Sequence, residues 1–144
     1  MKLIKKIEIE SSPGICYSDL STVKNPNKEN TKMVFFTAQT LFGEETFINL
    51  LDPEKNENIN DEPEKDFVVD KIKKANDECL LAIYGYALTL ITFKSSEKKK
   101  DSVSISQNKI QNSNPFRILN FFISNNKIVL LSEFEIHFYN FLLK

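Results

Sequence analysis

The chain has 144 residues, which bounds it to about one domain. It is 41% hydrophobic, with twelve Phe, four Tyr and no Trp, a composition that points to β structure and excludes a disordered polymer. The formal net charge of −1, from 19 basic and 20 acidic residues, gives no electrostatic case for nucleic acid or for a general attraction to anionic membranes.

Met1-Lys2-Leu3-Ile4-Lys5-Lys6 lacks the apolar core of a signal peptide. Leu3, Ile4, Ile7 and Ile9, set among Lys and Glu, read as a short strand-like run. Ser11-Ser12-Pro13-Gly14 is a turn signal, and Ile15-Cys16-Tyr17 reads as a strand. Residues 24–32 (KNPNKENTK) are almost devoid of apolar side chains and read as a loop. Met33-Val34-Phe35-Phe36-Thr37 and Thr46-Phe47-Ile48-Asn49-Leu50-Leu51 are strand-like. With Phe42-Gly43-Glu44-Glu45 between them they form an expected hairpin. Residues 52–66 (DPEKNENINDEPEKD) are acidic, polar and broken by two prolines, which reads as a long flexible loop.

In 67–81, Val69, Ile72, Lys73 and Asn76 have helical spacing, yet a strand followed by a loop fits the same residues. Residues 80–83 and 88–93 read as two strands hinged at Tyr84-Gly85-Tyr86. This apolar stretch spans about 14 residues, short of the roughly 20 that a membrane helix needs. Residues 94–114 are rich in Ser, Lys, Asn and Gln and read as a second flexible loop. The C-terminal part is the clearest. Apolar residues 116–123, a tight-turn signal at Asn125-Asn126, the run Ile128-Val129-Leu130-Leu131, a second turn at Ser132-Glu133-Phe134-Glu135, and Ile136-His137-Phe138-Tyr139-Asn140 together spell a three-strand meander. Strands about ten residues apart with turns between them predict an all-β domain: a sandwich, a barrel or a propeller.

Chemistry-bearing patterns are sparse. His137 lies in an alternating strand, with Ile136 and Phe138 on one face and His137 and Tyr139 on the other. No nucleophile or orienting group is marked beside it, so it reads as structural. Cys16 and Cys79 read as two buried thiols, although they could in principle pair. Two Cys and one His, scattered singly, make no zinc spacing. Gly14, Gly43 and Gly85 open no phosphate loop, and the acidic run lacks the oxygen spacing and central Gly of a calcium loop. No catalytic, cofactor-binding or metal-ligating residue is expected. Lys94, Lys98, Lys99 and Lys100 are a candidate contact for an anionic surface, with a solvated loop as the other reading. Phe138, Phe141, Leu142 and Leu143 are a candidate partner-facing edge, because an apolar strand left unpaired invites association.

Met1 to Glu10, followed by Gly14, Ile15 and Cys16, with Ser12 where Asn is usual, resembles the Met-Lys-Leu strand and Asn-Pro-x-Gly-Leu-Cys segment of the PROPPIN family of phosphoinositide-binding WD-repeat β-propellers. The hairpin across 34–52, with Phe42-Gly43-Glu44 in its turn, looks like the next family segment. Ile72-Lys73-Lys74-Ala75-Asn76-Asp77 and Leu80-Leu81-Ala82-Ile83 look like Ile-x-Ala-His-x-x-x-Leu-Ala-Ala-Leu, with Asn76 in place of His. The C-terminal meander is similar to a family blade that elsewhere precedes the Met-Lys-Leu segment. The order is therefore permuted, or the meander is a generic blade hairpin, or the chain is part of a larger whole.

The resemblance implies antiparallel meander blades, two to three of them in this length at about 40–45 residues each, against roughly four to eight in a closed propeller. It implies a non-catalytic interaction scaffold in autophagy or endosomal membrane traffic, cytoplasmic or peripheral on endomembranes, with a protein partner or self-association. Phosphoinositide binding is in doubt, because the Phe-Arg-Arg-Gly motif is absent and Phe116-Arg117 is its only fragment. The alternative function is a small accessory subunit of a larger protein or ribonucleoprotein assembly. No contact with free nucleic acid is expected.

Overall fold

The computed structural model describes residues 1–8, 15–40, 46–60, 71–110 and 116–140, and all structural statements concern these. Every regular element among them is a strand, so the chain is all-β. Strands β1 (Ile15–Lys24), β2 (Lys32–Thr40), β3 (Thr46–Asp52) and β4 (Glu57–Asn58) pair antiparallel in chain order as a first sheet. Strands β5 (Lys71–Asn76), β6 (Cys79–Tyr84), β7 (Ala87–Ser95) and β8 (Val103–Ile110) repeat the pattern in a second sheet. Strands β9 (Ile118–Ser124), β10 (Lys127–Ser132) and β11 (Ile136–Asn140) make a third.

The sheets stack face to face, and the side-chain period of two explains how. In β6, Leu80 and Ala82 point toward the first sheet, where they pack with Val23, Met33, Phe35, Ile48 and Leu50. Leu81 and Ile83 point the other way, into a second core with Ile118, Phe121, Ile128 and Leu130 of the third sheet. Strand β7 divides likewise, with Ile91 and Phe93 on the first core and Leu88 and Leu90 on the second. A sheet covered on both faces reads as an unbroken apolar run rather than an alternating one, which is why Cys79 to Ile83 are all buried. The first strands of the three sheets neighbour one another, β1 beside β5 and β5 beside β9, so each meander starts at the same side of the stack.

Backbone hydrogen bonds fix the junctions. Lys24 N–H donates to the Asp77 carbonyl, and Val103 N–H donates to Ile59 O at 2.7 Å, tying the first sheet to the second at both sides. Ile118 N–H donates to Gly85 O at 2.8 Å, joining the second sheet to the third. Lys73 of β5 reaches across to the Phe121 carbonyl and to Asn120 Oδ1, with its ammonium 5.2 Å from the Phe121 ring centre.

Polar side chains close the turns. Asn25 Oδ1 accepts from Asn27 N–H, Asp52 Oδ1 from Glu54 N–H and Asn76 Oδ1 from Glu78 N–H, each two residues ahead. Ser96 Oγ accepts from Lys98 and Lys99 N–H, and Ser132 Oγ from Glu135 N–H. The buried polar residues Asn25, Asp52 and Ser132 are thereby satisfied. Asn125 and Asn126 both adopt positive φ, the two-residue turn their sequence predicts between β9 and β10.

Three expectations need correction. Residues 94–114 are not one loop: Lys94 and Ser95 complete β7, and β8 occupies Val103–Ile110. Strand β8 hides because it is an edge strand, with Val103 and Ile105 turned to the core and Ser104, Ser106, Asn108 and Lys109 elsewhere. Residues 52–60 are also partly ordered, with β4 and the bridge Asn60–Val103; 61–66 lie outside the described residues. Leu3 and Ile4 are exposed, and residues 1–8 form no strand. The open choice at 67–81 resolves to strand over Lys71–Asn76, whose one fully buried side chain is Ile72; 67–70 lie outside the described residues.

Leu81→Ala should lower the unfolding free energy by about 2–5 kcal/mol, because a fully buried side chain leaves a cavity between two sheets. Leu20→Ala, at a position 75% exposed, should cost less than about 0.5 kcal/mol. Equilibrium urea unfolding of the two variants makes the comparison, and equal losses would contradict a two-sided middle sheet.

Candidate interaction surface

The third sheet has one face covered and one open. Cross-strand register places Phe122, Val129 and Phe138 side by side in one row and Asn120, Leu131 and Ile136 in the next. Cross-strand neighbours share a face, and this face is opposite to Phe121, Ile128 and Leu130, which are buried against the second sheet. Phe138 is 74% exposed, Ile136 60%, Phe122 53% and Leu131 43%. A register shift between Leu131 and Ser132 leaves Leu119 as an extra residue in β9, also exposed. At roughly 150–250 Å² for a whole aromatic side chain, these residues leave on the order of 600 Å² of apolar surface in water, the upper end for a monomer.

The face carries little charge. Lys127 stands at one end of β10 and Glu133 follows the other end, both exposed. Polar Ser124 and Asn140 flank Lys127 in the same row. At the Glu133 end, Phe134 packs edge-on against Phe116 with ring centres 5.0 Å apart.

Of the expected edge residues, Phe138 lies on this open face, while Phe141, Leu142 and Leu143 fall outside the described residues. Among the described residues, strand β11 is an edge of its sheet. Phe122, Val129, Leu131 and Ile136 were not singled out by sequence reasoning. The available signal was the unbroken run 128–131, apolar on both faces of one strand.

The expected basic cluster falls at the β7–β8 turn. Lys94 lies next to the end of β7, and Lys98, Lys99 and Lys100 sit exposed on the turn held by Ser96. Glu97 and Asp101 flank them there, so the tip is mixed in sign rather than a clean anion receptor. A concave site lies at the opposite end of the second sheet. Tyr84, Gly85, Tyr86, Ala87, Lys109, Ile110 and Arg117 line a cleft of about 660 Å³. Gly85 adopts a left-handed φ of 58° there, which lets the hairpin turn tightly enough to offer its carbonyl to Ile118.

His137 has partners that its sequence neighbourhood did not mark. Its Nε2 lies 2.5 Å from Glu135 Oε2 and its Nδ1 lies 3.1 Å from the Tyr139 hydroxyl. Glu135 just precedes β11, His137 and Tyr139 lie within it, and the contacts link the three side chains. Neither Glu135 nor Tyr139 supplies an activated nucleophile, so the arrangement lacks one member of a hydrolytic triad. Among the described residues, no group of three or more His, Cys, Asp or Glu could hold a metal ion. Among the same residues, no helix is long and apolar enough to cross a membrane.

Cys79 is buried, as expected, and its thiol donates to Asn76 Oδ1 at 3.4 Å. Burial pushes the thiol up to about 11, against a partial offset from its Asn76 contact. The side chain of Cys16 lies outside the description. No family model, curated protein or solved structure matches the chain.

A thiol raised this far holds very little thiolate near neutrality, and the thiolate is the reactive form. In a Cys16→Ser background, Cys79 should react with an uncharged thiol reagent at pH 8 at least about 100-fold more slowly when folded than in guanidinium. Equal rates would mean that β6 is not enclosed between two sheets.

Proposed function

We propose that this chain is a non-catalytic protein-interaction scaffold built of propeller-like blades, which docks a protein on the open face of its third sheet. The observation that carries the reading is that face: Phe122, Leu131, Ile136 and Phe138 exposed in contiguous rows around the half-buried Val129. Isolated apolar residues at a protein surface are ordinary, whereas a contiguous patch of this size marks a binding surface. The stack supplies further support. Sheets of equivalent topology, with first strands adjacent, succeed one another as blades do around an axis.

On the resemblance to the PROPPIN family alone, such a scaffold would act in autophagy or endosomal membrane traffic. The lipid part of that family's role has no motif to carry it here, and the lysine turn at 98–100 is flanked by Glu97 and Asp101. The reading therefore rests on protein docking and assigns no lipid contact.

In lysate from cells expressing the chain at its natural level, the protein should fractionate in a species larger than its own 16.7 kDa. Phe122→Asp with Phe138→Asp should return it to monomer mass with far-UV dichroism and melting temperature little changed, because both side chains are already in water in the free protein. A wild-type chain at monomer mass, or a double variant that stays in the larger species, would overturn docking on this face.

A further inference from the structure

Resting on that docking reading, we infer that the occupant of the open face is a second copy of this chain, with two third sheets packed face to face about a two-fold axis.

Three observations converge on this. The first is the contrast between the outer faces of the stack. On the first sheet the corresponding outward row is Leu20, Phe36 and Asn49, beside Thr22, Val34 and Leu51. Only Leu20 is largely exposed there, the rest being partly buried. A head-to-tail contact would bring the open third-sheet face against this weaker surface. A two-fold contact instead sets the most apolar exposed surface against itself, and needs one self-complementary patch rather than two.

The second is area. A stable standard interface buries about 800 Å² from each partner, and homodimer interfaces are roughly 65% apolar. The on the order of 600 Å² of apolar surface on this face, rimmed by Ser124, Lys127, Glu133 and Asn140, meets both figures. Face-to-face sheets pack about 10 Å apart with strand directions within roughly 30°, so the two aromatic rows can interdigitate as the inner faces do.

The third is the placement of charge. Lys127 and Glu133 are separated by the length of β10, about 20 Å at the rise of an extended strand. A two-fold axis lying between the two sheets and perpendicular to β10 runs the two β10 strands in opposite directions. It sets Lys127 over the partner's Glu133, and Glu133 over the partner's Lys127. A parallel alignment would instead place lysine over lysine and glutamate over glutamate. The antiparallel arrangement thus pairs Lys127 with Glu133 at both ends of the two β10 strands, with the apolar residues of β10 between them.

Sedimentation equilibrium of the purified chain across micromolar concentrations tests this directly. Twice the 16.7 kDa chain mass is expected. Phe138→Asp should weaken the dimer at least 100-fold, since each dimer loses the residue twice. Lys127→Glu alone and Glu133→Lys alone should each weaken it about tenfold at low salt through two like-charge contacts. The double swap should restore affinity to within about twofold of the original, a rescue that a merely destabilised fold would not show. A monomeric purified chain overturns the self-association. If that monomer is still found in a larger species in lysate and is released by the Phe122 and Phe138 substitutions, the docking reading survives with a different protein as occupant. A dimer that ignores Phe138→Asp, or a double swap as weak as the single ones, overturns the two-fold on this face.

Discussion

A middle sheet that must be dry on both sides governs this molecule. Leu80 and Ala82 on one face of β6, and Leu81 and Ile83 on the other, cannot be satisfied by a single neighbouring layer. The hydrophobic effect is non-directional and scales with area removed from water, so it demands two cover sheets without specifying their register. The register comes from polar atoms at the junctions, where Lys24 meets Asp77, Ile59 meets Val103 and Gly85 meets Ile118. Burial explains why there are layers, and the backbone bonds explain why each meander starts on the same side.

Much of this is written in apolar strands that are unambiguous. The β6–β7 hairpin, the meander from β9 to β11 and the Asn125-Asn126 turn are all legible because runs of Leu, Ile and Phe are punctuated by residues that tolerate a left-handed backbone. Legibility fails at the edges. Strand β8 contributes only Val103 and Ile105 to the first core and Ile110 to the second, so its composition is that of a solvated segment. Strand β5 buries Ile72 fully and little else, and its remaining residues mimic helical spacing by coincidence. In both, pairing with a neighbour fixes the strand, and pairing is a long-range fact that local composition does not hold.

The open face shows the same limit in another form. The sequence reveals that residues 128–131 are apolar on both faces, as 79–83 are. It does not reveal that one strand has two covering sheets and the other has one, because coverage depends on where the sheets lie in the stack. Asparagine carries part of the turn geometry: Asn30, Asn56, Asn125 and Asn126 all hold positive φ, and Asn25 and Asn76 close turns with their side chains. An ordinary L-residue adopts that conformation at an energetic cost, whereas Asn reduces it.

The junction bonds carry a dynamic consequence. Among the described residues, the first and second sheets are clasped by backbone bonds at both sides of the stack, whereas the second and third share Ile118 to Gly85 together with the reach of Lys73. Amide protons open in cooperative blocks whose free energies follow how firmly each block is held. On that principle the first two sheets should form the slower-exchanging unit, with the Val103 and Lys24 amides opening together with the pair. The third sheet, held to its neighbour by fewer backbone bonds among the described residues, should be the block that opens first.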